Sequence, residues 1–352
     1  MSQVASLRSY NPVLKRFFDK LPRFSYGKSQ LKNPESCQLV LDKLNIKSQY
    51  NSSKLDIIDA TPGFGLFSTM LNQELRPRNH ILIDRNDETV KSWHKKIQSL
   101  EHSTGNIENF KIIDRDPFAW GTYLRLYEKD ILPPTNYKPY DKLHDELLVL
   151  ANWTGTKDES TIAQWIKCCS HRNWLMKYGK VRMILFIPSA TAMKFLSEPG
   201  FKKRNRTALK RDLYTDSRLI AIGEELEVIG QGYDPRVLVR DQPVVIEKSS
   251  FIRNSEVAIV ELLPGRYTSD AISSIEHLLL AFFVTNYTLR EQLPKLAAGA
   301  EYLRKLLPDE VLDKKAFEFS TGDIIAIADA YEKWPFKPTI EETFDVGEEE
   351  LH

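Results

Sequence analysis

The chain has 352 residues, 42% of them hydrophobic and 28% charged, which is the composition of a folded globular protein of about two domains. No apolar run approaches the ~18 residues that a membrane span requires. Three cysteines without metal-ligand spacing exclude a disulfide framework and a thiolate metal centre. The 49 lysines and arginines nearly balance 48 aspartates and glutamates, and this net charge of +1 argues against a nucleic-acid partner only if the charges are evenly distributed.

The charges are in fact uneven, beginning with a basic N-terminal segment. Residues 1–34 carry seven cations and a single acid, Asp19. A basic, acid-poor segment of this kind is typical of a targeting sequence for the mitochondrial matrix, but a basic arm that stays on the protein has the same composition. We therefore treat residues 1–25 as an arm or a targeting segment, and both interpretations stay open.

The first half of the chain alternates between predicted strands and predicted helices. Short apolar segments bounded by turn residues predict strands at residues 54–60, 80–84, 110–113, 147–151 and 181–188. Helical patterns lie between them, as at residues 66–75 and 88–100. This alternation predicts a parallel α/β sheet flanked by helices and joined by right-handed crossovers.

Later in the chain, two more strands are predicted at residues 244–246 and 257–262, and the character changes after Pro264. Helices are predicted at residues 270–284, 289–307 and 321–333. We expect an α/β domain over residues 26–264 and a small all-α domain over residues 265–338. Residues 339–352 hold six acids and no cation, which predicts a flexible acidic tail.

A second basic region lies in the middle of the chain. Residues 167–218 contain thirteen cations and three acids. Its densest part holds Lys202, Lys203, Arg204, Arg206, Lys210 and Arg211. Such a block is either a solvated face or a surface that follows a phosphate backbone, and we favour nucleic-acid contact.

The segment after the first predicted strand has the pattern of a nucleoside-binding loop. Residues 59–65 read DATPGFG, and glycines such as Gly63 and Gly65 allow a tight turn and close approach of a ligand at a helix N-terminus. Asp84 ends the next strand, where an acid can accept hydrogen bonds from ribose hydroxyls. Asp116 follows the third strand and either contacts an adenine amino group or caps the turn before Pro117, and Asn152 ends the fourth strand.

These elements, in this order, resemble the rRNA adenine N6-dimethyltransferase family, whose members use S-adenosylmethionine. Four stretches are more similar to its derived branch, the fungal mitochondrial transcription factor B proteins, which are specificity factors of mitochondrial RNA polymerase. They are residues 115–120 (RDPFAW), 151–155 (ANWTG), 173–180 (NWLMKYGK) and 334–338 (WPFKP). Residues 282–290 (FFVTNYTLR) also resemble the first helices of the dimethyltransferase C-terminal domain. The resemblance covers roughly residues 26–338 and implies a methyltransferase-like, Rossmann-like α/β fold with a helical C-terminal domain. It also implies a vestigial S-adenosylmethionine pocket formed by Leu31, Asp59, Gly63, Gly65, Asp84, Asp116 and Asn152.

Three departures from the family motifs argue against catalysis. Thr61 stands where the enzymes have a glycine, and residues 26–31 (YGKSQL) replace F-G-Q-N-F-L. The catalytic motif N-[I/L]-P-[Y/F] reads NWTG at residues 152–155, so the aromatic ring that stacks on the flipped base is replaced by Gly155. The sequence therefore predicts a catalytically inactive homologue that requires no cofactor, with residual S-adenosylmethionine binding left open.

Aromatic residues beside Asp116 predict a site for unpaired bases. Phe118 and Trp120 flank the carboxyl edge of the sheet, and base–aromatic stacking contributes ~1–3 kcal/mol per base. The alternative is that one or both rings pack into the core. The other tryptophans considered, Trp93, Trp165 and Trp174, are expected between helices and the sheet.

The resemblance implies a monomeric transcription initiation factor of the mitochondrial matrix. Such a factor would associate with the single-subunit mitochondrial RNA polymerase, confer promoter specificity and hold the melted non-template strand, with the acidic tail near the template strand. One alternative is an active S-adenosylmethionine-dependent rRNA adenine dimethyltransferase. A third is an RNA-binding ribosome-assembly protein. No metal site and no membrane contact are predicted.

Overall fold

A computed structural model describes residues 7–20, 28–155, 158–265, 272–282 and 287–338. Eight strands form one sheet: β1 (Asp56–Ala60), β2 (Asn79–Asp84), β3 (Phe110–Asp114), β4 (Leu143–Asn152), β5 (Lys180–Pro188), β6 (Thr215–Gly223), β7 (Val244–Ile246) and β8 (Val257–Pro264). Across the sheet the order is β3-β2-β1-β4-β5-β8-β6-β7. Strands β1 to β5 pair in parallel, whereas β8 runs antiparallel to both β5 and β6. Every residue of β1 and β2 is buried, as expected for a parallel sheet with helices on both faces.

Helices cover both faces of the sheet and form the C-terminal part of the chain. The described α-helices are α1 (Lys15–Phe18), α2 (Pro34–Leu44), α3 (Leu66–Leu75), α4 (Asp87–Thr104), α5 (Trp120–Glu128), α6 (Glu159–His171), α7 (Ser189–Phe195), α8 (Arg206–Tyr214), α9 (Leu226–Gly232), α10 (Pro235–Asp241), α11 (Ile272–Phe282), α12 (Leu289–Leu296), α13 (Asp309–Leu312) and α14 (Thr321–Glu332). Within the described residues, no helix combines the length and apolarity that crossing a bilayer demands.

The predicted parallel α/β arrangement is confirmed for β1 to β5, and α3 covers the residues predicted for it. Strand β6 was not predicted. Its first four residues, from Thr215 to Arg218, are polar, so its buried apolar run is only about four residues long and gives a weak signal.

One predicted helix, over residues 289–307, is wrong in its extent. The α-helix stops at Leu296, and a separate 3-10 helix spans Ala300–Lys305. Pro294 has no backbone N–H to continue the helical hydrogen bonds, and Gly299 adopts a left-handed φ of +81° between the two segments.

The helical C-terminal part packs directly against the sheet domain. The backbone N–H of Gly200 donates to the carbonyl of Phe317 at 2.9 Å, and Lys210 in α8 pairs with Glu276 in α11. One apolar cluster extends from the sheet to Trp334. The boundary near Pro264 stays a prediction, and the tail over residues 339–352 lies outside the described residues.

Part of the basic N-terminal segment also packs onto the α/β domain. Leu14 is completely buried, and Asn11 donates from Nδ2 to Glu108 at 2.9 Å. Ser9 donates from Oγ to Glu74 in α3 at 2.5 Å. Residues 1–6 and 21–25 of the predicted arm or targeting segment lie outside the described residues, and the targeting role stays a prediction.

Candidate nucleic-acid interface at the carboxyl edge of the sheet

The loop between β1 and α3 is built on two glycines with left-handed backbones. Gly63 has φ +52° and Gly65 has φ +84°. A Cβ atom at Gly65 would lie 2.2 Å from the Trp93 ring, so only glycine fits there. Trp93 also donates its indole N–H to the carbonyl of Gly63 at 3.1 Å. The buried Trp93 therefore fixes this loop by packing against Gly65 and by a hydrogen bond to Gly63.

Thr61 divides the predicted cofactor pocket in two. Its hydroxyl donates to the carbonyl of Asn152 at 2.6 Å, and the residue lines cavities on both of its sides. One cavity, of about 30 Å³, is lined by Leu31, Asp59 and Asn152 among others. The other, of about 130 Å³, is lined by Gly63, Asp84 and Phe118 among others. Each is smaller than the roughly 300–1,000 Å³ usual for ligand and cofactor sites.

The three predicted carboxylates are brought to this edge, and each has a partner in the chain. Asp59 is buried, with its Oδ2 3.4 Å from His80 Nε2. Asp84 accepts the backbone N–H of Asn86 at 2.9 Å, and burial raises its pKa above the ordinary value. Asp116 pairs with Arg85 at 2.8 Å.

Asp116 also behaves as the turn cap that the sequence offered as an alternative. Its Oδ1 accepts the backbone N–H of Phe118 at 2.9 Å. Both carboxylate oxygens are therefore engaged, the other by Arg85.

The glycine loop itself is covered by the Gln30 side chain. A Cβ atom at Gly63 would lie 2.5 Å from the Gln30 amide, and Gln30 Oε1 accepts the backbone N–H of Phe64. A ligand approaching the loop would meet this amide first. With the divided cavity and the engaged carboxylates, these residues do not fit S-adenosylmethionine in the arrangement described.

The Asn152 amide is used within the chain as well. Its Nδ2 donates to the carbonyl of Ser29 at 2.8 Å, and its Oδ1 accepts from the Thr154 hydroxyl at 2.7 Å. Thr154 Oγ1 in turn accepts the backbone N–H of Ser29 at 2.8 Å. The amide that would hold a target amine in the enzymes is thus bonded to its own chain on both sides.

Lys28 fills the space beside the altered motif. Its ammonium pairs with Asp158 and lies 5.4 Å from the ring centres of both Phe118 and Trp153. A Cβ atom at Gly155 would be only 3.2 Å from Lys28 Nζ, so the lysine occupies the place where an aromatic side chain at position 155 would begin. Sequence reasoning did not identify Lys28 or Asp158 as site residues. The signal was the joint occurrence of a lysine in residues 26–31 and a glycine at position 155.

Phe118 and Trp120 remain accessible at the same edge. Each is 40% exposed. Phe118 stacks on Trp153 at a centroid distance of 4.9 Å, and Trp120 makes an edge contact with Trp174 at 5.6 Å. Trp93, Trp165 and Trp174 are buried, as predicted.

The prediction that all six cations of the basic block contact phosphates is wrong for two of them. Arg204 is buried, pairing with Asp212 at 2.7 Å and donating to the carbonyl of Ser197. Arg211 is buried as well, and pairs with the other oxygen of Asp212 at 2.6 Å. Their guanidinium groups hold α8 in place and are not available to a phosphate.

The rest of the block differs from residue to residue. Lys210 is paired with Glu276, whereas Lys202, Lys203 and Arg206 are exposed. Of the thirteen cations between residues 167 and 218, seven have a carboxylate within 4.0 Å, which leaves six without one among the described residues. These six are Lys167, Arg172, Lys177, Lys202, Lys203 and Arg206.

The described residues also contain no cluster of three or more His, Cys, Asp or Glu side chains that could hold a metal ion.

Known proteins resemble this chain over most of its length. The profile of the family named Ribosomal RNA adenine dimethylase matches residues 20–305. Mitochondrial transcription factor 1 of Saccharomyces cerevisiae is 28% identical over 325 residues, which cover 90% of this chain and 92% of that protein. The protein of the same name from Lachancea kluyveri is 27% identical over 321 residues, with 90% and 91% covered.

A solved structure has a similar fold. It is a dimethyladenosine transferase from Plasmodium falciparum, with a TM-score of 0.55 and 15% identity, covering 86% of this chain and 97% of that one. At this identity the similarity concerns the fold alone, and it confirms the predicted methyltransferase-like architecture.

Proposed function

The chain belongs to the ribosomal RNA adenine dimethylase family, and from that starting point we propose that it acts in mitochondria as a transcription initiation factor. Relatives that match nine-tenths of the chain are named mitochondrial transcription factors. In finer terms, the protein works in the matrix, associates with the single-subunit mitochondrial RNA polymerase and confers promoter-specific initiation. It lacks methyltransferase activity and requires no cofactor.

One contrast at the carboxyl edge of the sheet carries this proposal. The Asn152 amide is hydrogen-bonded to its own chain, and Lys28 fills the space beside Gly155. At the same edge, Phe118 and Trp120 are each 40% exposed. The groups that would hold and methylate a base are therefore engaged, while the rings that can stack on a base are accessible.

The energetics favour capture of a melted strand. Two stacked bases at ~1–3 kcal/mol each compare with about 1.4 kcal/mol for one base-pair step of duplex DNA. Stacking on Phe118 and Trp120 therefore offsets the melting of about one to four steps. The exposed Lys202, Lys203 and Arg206 add salt-dependent contacts to phosphates. Because rings stack only on unpaired bases, the protein stabilises the bubble in preference to the duplex.

Run-off transcription from a linear promoter tests the role. Polymerase with this protein should initiate specifically, and the double variant Phe118→Ala, Trp120→Ala should reduce initiation on duplex DNA at least ten-fold. A template whose start region is already unpaired should restore initiation with the double variant, because the DNA no longer has to be melted. Tyr302→Ala is the matched control, because Tyr302 is 39% exposed in the helical C-terminal part. A double variant that opens the duplex normally, measured by 2-aminopurine fluorescence, would contradict the stacking role.

The phosphate contacts have a separate test. Replacing Lys202, Lys203 and Arg206 together by alanine should flatten the salt dependence of promoter binding, by about 0.7–0.9 in log–log slope for each phosphate that these cations neutralise. Lys194→Ala is the control, since this exposed lysine already lies 3.8 Å from Glu159. An unchanged slope would make the three cations part of an ordinary solvated face.

The enzyme alternative is tested by titrating the protein with S-adenosylmethionine in a calorimeter. We expect no heat of binding, because Gln30 covers the glycine loop and Thr61 divides the pocket. Micromolar affinity would revive the dimethyltransferase interpretation.

A further inference from the structure

A groove separate from the catalytic motif runs along α5. Its two walls are α5 and the 3-10 helix Trp174–Tyr178, and they enclose a cavity of about 80 Å³. Trp174, in the 3-10 helix wall, has a left-handed φ of +51°, which is a strained backbone conformation for a bulky residue. Strain of this kind persists where the surrounding packing imposes it, and it is common at binding sites. We call this feature the α5 groove.

Several aromatic side chains lie along the α5 groove, and Trp120 lies beside its cavity in contact with the lining residue Trp174. Trp120, Leu124 and Tyr127 follow one face of α5 at i, i+4 and i+7, a span of about 10 Å at 1.5 Å per residue. On the opposite wall, Trp174 contacts Trp120 at a centroid distance of 5.6 Å, and Tyr178 contacts Tyr127 at 5.2 Å. The lining therefore combines aromatic rings with the aliphatic side chains of Leu124 and Leu175.

Tyr137 ends this row and is open to solvent. Its ring lies 5.2 Å from that of Tyr178, and the residue is 72% exposed. An aromatic ring that packs on one side and is accessible on the other is a platform for a planar group. Trp120, 40% exposed, ends the row on the other side and is also one of the two rings at the carboxyl edge of the sheet.

The charges around the α5 groove favour an anionic strand. Arg172 lies over the Tyr140 ring at 4.1 Å, and Lys177 lies over the Tyr178 ring at 5.0 Å. Both are among the six cations of the middle basic region that lack a carboxylate within 4.0 Å in the described part of the chain. Glu128 is the acidic residue of the lining. Unpaired cations beside aromatic rings are the combination that binds single-stranded nucleic acid without sequence preference.

We propose that the α5 groove binds a further two to three nucleotides of the unpaired DNA strand, continuing from Trp120 toward Tyr137. The proposal rests on the proposed function, because Trp120 is shared by both sites. The part of this path from Trp120 to Tyr127 is about 10 Å long, which at 3.4 Å per nucleotide of one strand holds about three stacked nucleotides. Tyr137 supplies the last stacking surface, and Arg172 and Lys177 contact the backbone.

Oligothymidylates of two lengths test the length of the site. Fluorescein-labelled 4-mers and 12-mers are titrated with the full chain, and binding is followed by anisotropy. Tyr137→Ala should weaken 12-mer binding about ten-fold while changing 4-mer binding at most two-fold, since a 4-mer can use the carboxyl edge alone. Lys177→Gln should reduce the salt slope of 12-mer binding by about 0.7. Tyr302→Ala is again the control, and because Tyr137 is 72% exposed its replacement should leave the melting temperature unchanged.

The outcomes separate this inference from the proposed function. If Tyr137→Ala leaves 12-mer binding unchanged while Phe118→Ala, Trp120→Ala weakens both lengths, the groove is not a nucleic-acid site and the proposed function stands. If neither set of variants weakens binding, both are overturned. If Tyr137→Ala weakens association with the polymerase in the absence of DNA but not 12-mer binding, the groove is a protein contact and the inference is wrong.

Discussion

Replacing Lys96 with methionine tests how strongly a buried lysine affects the free energy of unfolding and its dependence on pH. Lys96 in α4 is 1% exposed, donates to the Ser92 hydroxyl at 2.7 Å and lies near the rings of Trp93 and Phe17. No carboxylate lies within 4.0 Å of its ammonium in the described part of the chain. Burial lowers the pKa of Lys96 from 10.5 to about 7.

The sign of the effect follows from the lowered pKa. Between pH 7 and 10.5 the unfolded chain holds a proton on Lys96 that the folded chain releases, so the free energy of unfolding rises with pH in this window. Burial of the protonated lysine lowers the free energy of unfolding by about 5 kcal/mol below pH 7, and this destabilisation disappears as the pH passes 10.5. Between pH 7 and pH 9 the group contributes a rise of about 2 kcal/mol.

Urea denaturation at pH 7, 8 and 9 measures this contribution. Lys96→Met keeps the side-chain volume, so we expect it to be more stable than the parent at pH 7, with an advantage that shrinks by about 2 kcal/mol at pH 9. Lys95→Met is the control, because Lys95 is exposed on the same helix. A stability difference between parent and Lys96→Met that is equal at pH 7 and pH 9 would refute the reasoning.

Three further substitutions test the packing that positions the site. Gly65→Ala should destabilise the fold by about 3 kcal/mol, measured by urea denaturation, because its Cβ would lie 2.2 Å from the Trp93 ring at a φ of +84°. Arg204→Met should lower the free energy of unfolding by about 1–3 kcal/mol, since the buried carbonyl of Phe319 loses its donor while Asp212 keeps Arg211 as a partner. Lys202→Met should change stability by less than about 0.5 kcal/mol, which a thermal melt can check, because Lys202 is exposed.

The methyltransferase-like sheet was predictable because its signals are local. Each of β1 to β5 is a short apolar run between turn residues, and α3 follows a glycine loop that marks its beginning. The exposure of Phe118 and Trp120 was only an expectation, since a ring in a loop can pack inward or face solvent. Their exposure depends on Trp153 and Trp174, which lie beneath them and are distant in sequence.

Charge density along the chain did not predict which cations of the basic run are exposed. Arg204 and Lys202 are two positions apart in the same basic run, yet one is buried and the other exposed. The difference arises because Arg204 pairs with Asp212 on α8 and donates to the carbonyl of Phe319 in the C-terminal part of the chain. No local pattern contains that contact.

The amino-acid sequence by itself determined the order of strands and helices, the glycine loop and the loss of the family's catalytic motif, because each is a property of neighbouring residues. Only the tertiary structure decided how the altered site is filled. Lys28 reaches the space beside Gly155 and pairs with Asp158, and the α5 groove forms where Tyr137 meets Tyr178. These contacts join residues tens of positions apart, and their geometry is set by the packing of helices on the sheet.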